Sequence, residues 1–299
     1  MNRRKIRVLI GTPAGGGEVN LGYLLSMMDV YQNVTQIKHQ IFIRDNLRVA
    51  KEQGVIGEHQ LNMWVELEKQ NLIEMEIGLY TLSNESLLSR GRNHIAAVAI
   101  RGGWDKLMFI DADSKFSFRQ FWEIATSIHD LACGVVPLKT LPIALNFLPF
   151  KDDEFYFRDR IRSMDSLIRM REGHKAPWIP VAFAGTAFMC ISRKLLISAA
   201  ERSEEYQYPN PATGFLHTHW NMFDTRPMHG KFMSEDWSFC YRARDLGYKV
   251  HINADVVISH VGTMVYTPEM GLPGPMPPTQ GVYSSKLDDH PKLEREMNA

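Results

Sequence analysis

The stretch from Trp104 to Phe118, WDKLMFIDADSKFSF, sets the apolar run Leu107 to Ile110 directly before two aspartates one residue apart, Asp111 and Asp113. An apolar run of that length, followed by polar residues, reads as a buried strand. Two like charges at its end are costly to hold together unless a cation or a proton lies between them. In extended backbone, residues two apart point the same way, so both carboxylates can aim at one spot while Ala112 faces the other side. A turn beginning there would weaken that alternation. Hard carboxylate oxygens suit Mg²⁺ or Mn²⁺, ions that keep positions open for water and phosphate oxygens. A metal–diphosphate site is therefore one reading, and a turn with two solvated aspartates is the other.

Outward from this strand, apolar runs alternate with amphipathic segments. KIRVLIG (Lys5 to Gly11) reads as a strand ended by Thr12 and Pro13, and the next segment carries Leu21, Leu24, Leu25 and Met28 at helical spacing. HQIFIR (His39 to Arg44) is expected as a second strand, GEHQLNMWVELEKQ as a helix, and LIEMEIGLYTL as a strand. NESLLSRGRNHIAAVAIRGG reads as a helix stopped by Gly102 and Gly103. Beyond the aspartates come the helix FRQFWEIATSIHD and the strand ACGVVPL. Strands separated by helices favour an α/β layer with a mainly parallel sheet, because parallel neighbours need a crossover. Ligands of such sheets gather beyond the carboxyl ends of the strands, where Asp111 and Asp113 lie.

The second half is less regular. A helix with several arginines is expected before Gly173, two short strands around Ala184 and Gly185, and a helix from RKLLISAAERS. An irregular loop rich in histidine and aromatic residues follows, then a helix from SEDW, a turn at Gly247 and two short strands.

The 299 residues are 44% hydrophobic and 23% charged, with a formal net charge of zero. That composition suits a globular protein and supplies no general basic field for nucleic acid. Cys133, Cys190 and Cys240 are far apart in apolar surroundings, which fits buried reduced thiols and a cytoplasmic setting. No apolar run is long enough for a membrane span, and the basic N-terminus precedes too short an apolar stretch for a signal peptide. The Pro-, Gly- and Met-rich segment TPEMGLPGPMPPTQG cannot hold a helix or a central strand and reads as an extended arm within a C-terminal tail, 263–299.

Taken in order, SRGRNHIAA, DKLMFIDADSKF, AGTAFMCISRKLL, SEDWSFCYRARDLGYKV and ISHVG resemble the nucleotide-sugar-dependent glycosyltransferases of the GT-A fold. The likeness is to the family-2-like branch of bacteria, phages and large viruses. IGTPAGGGEVNLGYLLSMM, from Ile10 to Met28, looks like a variant of phage and viral members. The likeness runs over roughly residues 6 to 262 and implies one Rossmann-like, mixed-sheet catalytic domain, 1–262. Its nucleotide-sugar-binding half would be 1–137 and its acceptor-binding half 138–262, with the tail outside.

The resemblance implies that Asp111, Ala112 and Asp113 form a DxD element, with Asp113 the direct metal ligand and Asp111 near the ribose or the metal's water shell. Arg92 and Asn93 would bind the donor nucleotide and diphosphate, Thr12 and Pro13 its base, and Gly185 would line the sugar and acceptor cleft. His260 would complete the metal shell and favour Mn²⁺ over Mg²⁺. Asp236, with Glu235 beside it, would take the proton from an acceptor hydroxyl. At the head of a helix after Ser234, both acids also fit simple capping and dipole roles. The implied activity is hexosyl or pentosyl transfer from a UDP-sugar, with inversion, in the cytoplasm, or the host cytoplasm for a virus.

Acceptors considered are a glycan or glycoprotein and, behind it, hydroxymethylated DNA. The DNA reading draws on Arg158, Arg160, Arg162, Arg169, Arg171 and Lys175, which Asp159, Asp165 and Glu172 dilute. His217, His219, Trp220 and His229 lack the spacing of a zinc site and read as an acceptor loop, with Pro209 to Gly230 and the tail closing over the cleft. Two rival readings remain: a haloacid-dehalogenase-like phosphatase with Asp111 as nucleophile, and a carbohydrate-binding protein without catalysis. Ser114 and Lys115 after the aspartates depart from the phosphatase pattern, and a binder has no use for Asp236. The oligomeric state is not fixed by these features.

Overall fold

Val8, Ile10, Met108 and Ile110 are buried in one cluster, and Leu9, Leu107 and Phe109 in another. That alternation comes from the two-residue period of neighbouring strands and gives the sheet two apolar faces. The computed structural model describes residues 5–70, 72–83, 85–141, 143–150, 164–209, 214–228, 230–262 and 265–267.

The described elements in chain order are β1 (Lys5–Ala14), α1 (Leu21–Glu52), α2 (Glu58–Lys69), β2 (Glu74–Ser83), α3 (Leu88–Arg101), β3 (Lys106–Ile110), β4 (Ser114–Lys115) and α4 (Phe118–Ala125). Next come β5 (Leu131–Val135), β6 (Phe147–Leu148), α5 (Met164–His174), β7 (Trp178–Val181), β8 (Phe183–Ala184), β9 (Phe188–Ser192) and α6 (Arg193–Glu201). The last are β10 (Glu205–Pro209), β11 (Leu216–Trp220), β12 (Arg226–Met228), β13 (Lys231–Met233), α7 (Glu235–Asp245), β14 (Val250–Val257), β15 (Ser259–Val261) and β16 (Val265–Tyr266).

The main sheet has seven strands in the order β2-β1-β3-β9-β5-β14-β7. Pairs β1/β2, β1/β3 and β5/β14 are parallel, whereas β9 runs antiparallel to both β3 and β5, and β7 antiparallel to β14. The fold is mixed α/β, and the sheet is less parallel than the alternation of elements suggests. β9 explains the difference: it inserts between two strands that the first half of the chain supplies. Helices α3, α6 and α7 cover the face of Leu9 and Phe109, and α1 and α4 cover the other. A small sheet, β16-β15-β4, sits after the aspartates.

Two local expectations change. HQIFIR is helical, because α1 runs unbroken from Leu21 to Glu52. No Gly or Pro interrupts it between Gly22 and Gly54, and Tyr23, Met27, Val30, Val34 and Ile41 keep one helical face buried, so tertiary packing overrides the β-branched run. The stripe Leu21, Leu24, Leu25 and Met28 is exposed, with Leu21 and Met28 each at 67%. The histidine-rich segment is also not irregular: β10/β11 and β12/β13 are antiparallel hairpins. Gly247, at φ +83°, ends α7 at the expected turn, where a residue with a side chain would be strained. Among the described residues no helix is long and apolar enough to cross a membrane, and all three cysteines are buried free thiols.

Candidate active site

The chain turns immediately after β3. Asp111 N–H donates to the Ala187 carbonyl at 3.1 Å, and Ser114 N–H donates back to the Asp111 carbonyl at 3.0 Å. The strict strand alternation ends there, and the two carboxylates part company. Asp111 Oδ1 accepts from Arg92 Nη2 at 3.2 Å. Asp113 instead meets Lys139 through Oδ2 and His260 through Oδ1.

His260 reaches this place because β15 pairs with β4, opposing His260 to Ser114, while Val261 N–H donates to the Asp113 carbonyl at 2.8 Å. Its Nδ1 lies 3.0 Å from the Pro137 carbonyl, which can only accept, so Nδ1 carries the proton. Nε2 then faces Asp113 Oδ1 at 3.2 Å, out of line for a hydrogen bond, and that buried oxygen has no other donor. A lone pair facing a carboxylate needs a cation, either a proton or a metal ion, between them. Burial alone would raise the Asp113 pKa, but His260 with a proton on Nε2, together with Lys139, outweighs it and holds it at about 2, so the carboxylate stays ionised.

Arg92 is the hub on the other side. It projects from α3, is 2% exposed, and donates through Nε to Glu235 Oε1 at 3.2 Å as well as to Asp111. Burial opposes its charge, yet Asp111, Glu235 and Asp236 together keep it firmly protonated. Its Nη1 is buried without a partner. An arginine in a long helix would ordinarily be a solvated surface residue, but three acids make its burial tolerable.

Glu235 and Asp236 occupy the first turn of α7, as the sequence suggests. Ser234 holds the N-cap position, but its hydroxyl donates to Asp236 Oδ1 instead of capping the helix. Asp236 Oδ1 also accepts from Trp237 N–H at 2.8 Å. Burial and the neighbouring Glu235 charge raise the Asp236 pKa to about 6, against the opposing pull of Ser234, Arg92 and the Trp237 amide. The helix end does not set this value; burial does.

Two openings meet at Asp111 and Leu88. One, of about 500 Å³, is lined by Pro13, Ala14, Gly15, Gly16, Asn20 and Asp113. The other, of about 250 Å³, is lined by Arg92, Asn146, Gly185, Glu235, Asp236 and His260. Ala112 lines the first, and its carbonyl accepts from Asn20 N–H at 2.8 Å, which fixes the start of α1 beside the aspartates.

Two candidate residues point elsewhere. Thr12 is fully buried, its hydroxyl 2.6 Å from the Tyr23 hydroxyl, so of the Thr12–Pro13 pair only Pro13 lines the cleft. Asn93 uses its amide on the loop after β11, accepting from Phe223 N–H at 2.8 Å and donating to Asn221 Oδ1 at 3.2 Å. His219 is likewise buried and bonded to His94, so it belongs to the packing of β11 on α3 and not to an exposed acceptor loop. Arg158, Arg160, Arg162, His229 and nearly all of the tail lie outside the described residues; Arg171 pairs with Asp255.

Asn146 and Lys139 were not singled out from sequence. Their signal is weak: a lysine four residues after Val135, and one asparagine inside the apolar run LPIALNFLPF.

Among the described residues no group of three or more His, Cys, Asp or Glu side chains forms a metal cage. Asp113 and His260 nonetheless offer one hard oxygen and one imidazole nitrogen at a cleft, a pair that suits Mn²⁺ or Mg²⁺ with the rest of the shell from ligand and water.

No protein-family model matches the sequence, and no curated protein matches it. Among solved structures, the chain is similar to A197 from STIV, at 14% identity over 89% of this chain and 92% of that one, with a TM-score of 0.46. It is similar to GalNAc-T7, in a structure with UDP, GalNAc and Mn²⁺, at 10% identity and a TM-score of 0.43, over 89% of this chain and 44% of that one. HddC from Yersinia pseudotuberculosis shares 12% identity over 64% of this chain and 78% of that one, with a TM-score of 0.24.

Proposed function

We propose that this chain is a metal-dependent glycosyltransferase of the GT-A kind, moving a sugar from a nucleotide-diphosphate donor, a UDP-sugar, to an acceptor hydroxyl with inversion. The observation that carries the reading is the Asp113–His260 pair. A carboxylate oxygen without a donor and an imidazole nitrogen whose ring is anchored to Pro137 face one another between the 500 Å³ opening, which Asp113 lines, and the 250 Å³ opening, which His260 lines. A metal-binding imidazole is commonly oriented by a hydrogen bond from its other nitrogen, which is the arrangement of His260.

Asp113 and His260 would hold the divalent ion, which when bound supplies Lewis-acid stabilisation of the departing diphosphate. The chain's own groups do the rest. Pro13, Gly15 and Gly16 line the space for the nucleotide, and Asp111 lies where the two openings meet. Arg92, with Nη1 free, adds positive charge to the wall beside the leaving group. Asp236 takes the proton of the attacking hydroxyl; its raised pKa makes it a better proton acceptor near neutrality than an ordinary aspartate. A glycan acceptor is preferred over DNA, since of the basic segment that suggested DNA, Arg171 is tied to Asp255.

The test is thermal stabilisation of the full chain by a panel of nucleotide sugars with and without Mn²⁺, since a ligand bound only to the folded state raises apparent stability. A UDP-sugar that stabilises only when Mn²⁺ is present, and loses that effect in Asp113→Asn, is the expected result. No stabilisation by any donor, or equal stabilisation in Asp113→Asn, overturns it.

A further inference from the structure

Asn146 is 5% exposed and held from three directions. Its backbone N–H donates to the Val136 carbonyl at 2.9 Å, its carbonyl accepts from Gly185 N–H at 2.7 Å, and its side-chain Oδ1 accepts from Val136 N–H at 2.8 Å. The last contact settles which end of the amide is oxygen, because a backbone N–H needs an acceptor. Nδ2 is thereby fixed in place, and it is buried with no partner. A buried donor left unmatched destabilises a fold, so an atom that persists in this state is a candidate for matching by something that binds.

What lies in front of it is a notch. A side-chain carbon at Gly185 would stand 3.2 Å from Asn146 Nδ2 and 3.4 Å from Asp236 Oδ2. The missing side chain therefore leaves space bounded by a fixed donor on one wall and a carboxylate oxygen on the other, within the 250 Å³ opening. Asp236 Oδ1 already takes the Ser234 hydroxyl and the Trp237 amide, which leaves Oδ2 to face the notch. Only an atom that accepts one hydrogen bond while donating another satisfies both walls, and a hydroxyl oxygen does so.

Resting on the glycosyltransferase reading, we propose that Asn146 Nδ2 and Asp236 Oδ2 jointly seat the attacking hydroxyl, and that Gly185 is bare to admit it. One lone pair of the oxygen accepts from Asn146. Another forms the new bond to the anomeric carbon as the proton passes to Asp236, and the electron pair of the broken carbon–oxygen bond leaves with the diphosphate. Asn146 orients the lone pairs so that one points at the sugar, and it is a substrate-contacting group that family likeness did not single out.

The experiment has two arms. In the first, a crystal structure of the full wild-type chain at high resolution is read for an oxygen, from water or from added ethylene glycol, within 3.2 Å of both Asn146 Nδ2 and Asp236 Oδ2. In the second, hydrolysis of UDP-glucose, UDP-galactose and UDP-N-acetylglucosamine with Mn²⁺ is measured, water being the nucleophile. Asn146→Asp keeps the oxygen that bonds Val136 and replaces the free donor by an acceptor. Its expected signature is a kcat at least tenfold lower with donor KM unchanged, in a chain that stays folded but melts at a lower Tm, because the new carboxyl is buried beside Asp236.

Asn146→Ala, losing both contacts, should lower kcat similarly and also lower Tm. Gly185→Ala, whose backbone is not in the left-handed region, should cut kcat and expel the bridging oxygen while remaining folded. An unfilled notch, or wild-type kcat in folded Asn146→Asp or Asn146→Ala, overturns the proposal. A wild-type chain inert toward every donor overturns the glycosyltransferase reading, and the first arm still decides whether the notch seats a hydroxyl.

Discussion

Residues 92 and 94 of α3 serve two groups of buried polar side chains, and the groups differ in how completely they are matched. Two helical steps turn the chain by about 200°, so Arg92 and His94 look in different directions. On the His94 side, the Tyr80 hydroxyl donates to His94 Nε2 at 2.7 Å, His94 Nδ1 donates to His219 Nε2 at 3.0 Å, and His219 Nδ1 donates to the His217 carbonyl at 2.8 Å. Working back from that carbonyl, which can only accept, fixes every tautomer, and both rings are neutral. On the Arg92 side, Arg92 Nη1, Asp113 Oδ1 and Asn146 Nδ2 all stay unmatched. The first group is a closed chain that stiffens the fold; the second holds vacant valences around an opening. Buried polarity alone does not mark a site, whereas buried polarity left unsatisfied at a cavity does.

The largest expected effect is at Asp236. Asp236→Asn should lower kcat about 10³-fold, within the range of a lost general base. It should not lower Tm. A carboxyl whose pKa is raised on folding favours the protonated form in the fold, so its ionised form weighs against stability at neutral pH, and an uncharged amide removes that burden. Wild-type kcat should fall as pH drops below about 6, the value to which burial and Glu235 raise Asp236. A tenfold or smaller loss in the variant would mean that the open group holds no base.

Next in size, His260→Ala should lower metal-dependent activity by about 10²-fold and abolish the extra thermal stabilisation that Mn²⁺ gives with a donor. Calorimetric titration with Mn²⁺ and UDP checks this.

The closed group should show the opposite pattern. His219→Ala should cost about 2–4 kcal/mol of stability, from a cavity and a stranded His94 donor, and leave kcat within twofold. Denaturant melts paired with kinetics measure both. If kcat falls with the stability of the fold intact, the two groups are not separate in function.

The smallest effect is on the pH dependence of stability. Burial, then the proximity of His219, depress the His94 pKa to about 4. A histidine held neutral in the fold stabilises fully above its unfolded value near 6.5, and that contribution is lost as pH falls toward 4. The wild type should therefore lose on the order of 1–3 kcal/mol across that window, and His94→Gln less, in denaturant melts at a series of pH values.

The strands of the main sheet, the helices other than the second half of α1, and the positions of the acids 111 and 113 after a strand and 235 and 236 at the head of a helix were legible because periodicity and caps act over short stretches, whereas the hairpins β10/β11 and β12/β13 were not. Ser117, for instance, accepts from Gln120 N–H while the Gln120 side chain accepts from Ser117 N–H, a capping pattern visible in the sequence. What distance in sequence brings together was not legible. Arg92 meets Glu235 across 143 positions, and His94 meets His219 across 125. The divergence of Asp111 and Asp113 depends on one backbone turn, and Asn146 matters through a nitrogen whose neighbours come from β5's end and from residue 185.

The order of strands carries a consequence for synthesis of the chain. Among the described residues β14 is the last long strand made, yet it lies between β5 and β7, both of which are complete well before it. A nascent chain that has reached β7 still presents both flanks of β5 with unpaired backbone groups, since β9 and β14 follow, and exposed strand edges of this kind invite association with other chains. The sheet closes only when residues near 257 have emerged from the ribosome, so a stall between β9 and that point should be far more harmful to yield than a stall inside α1.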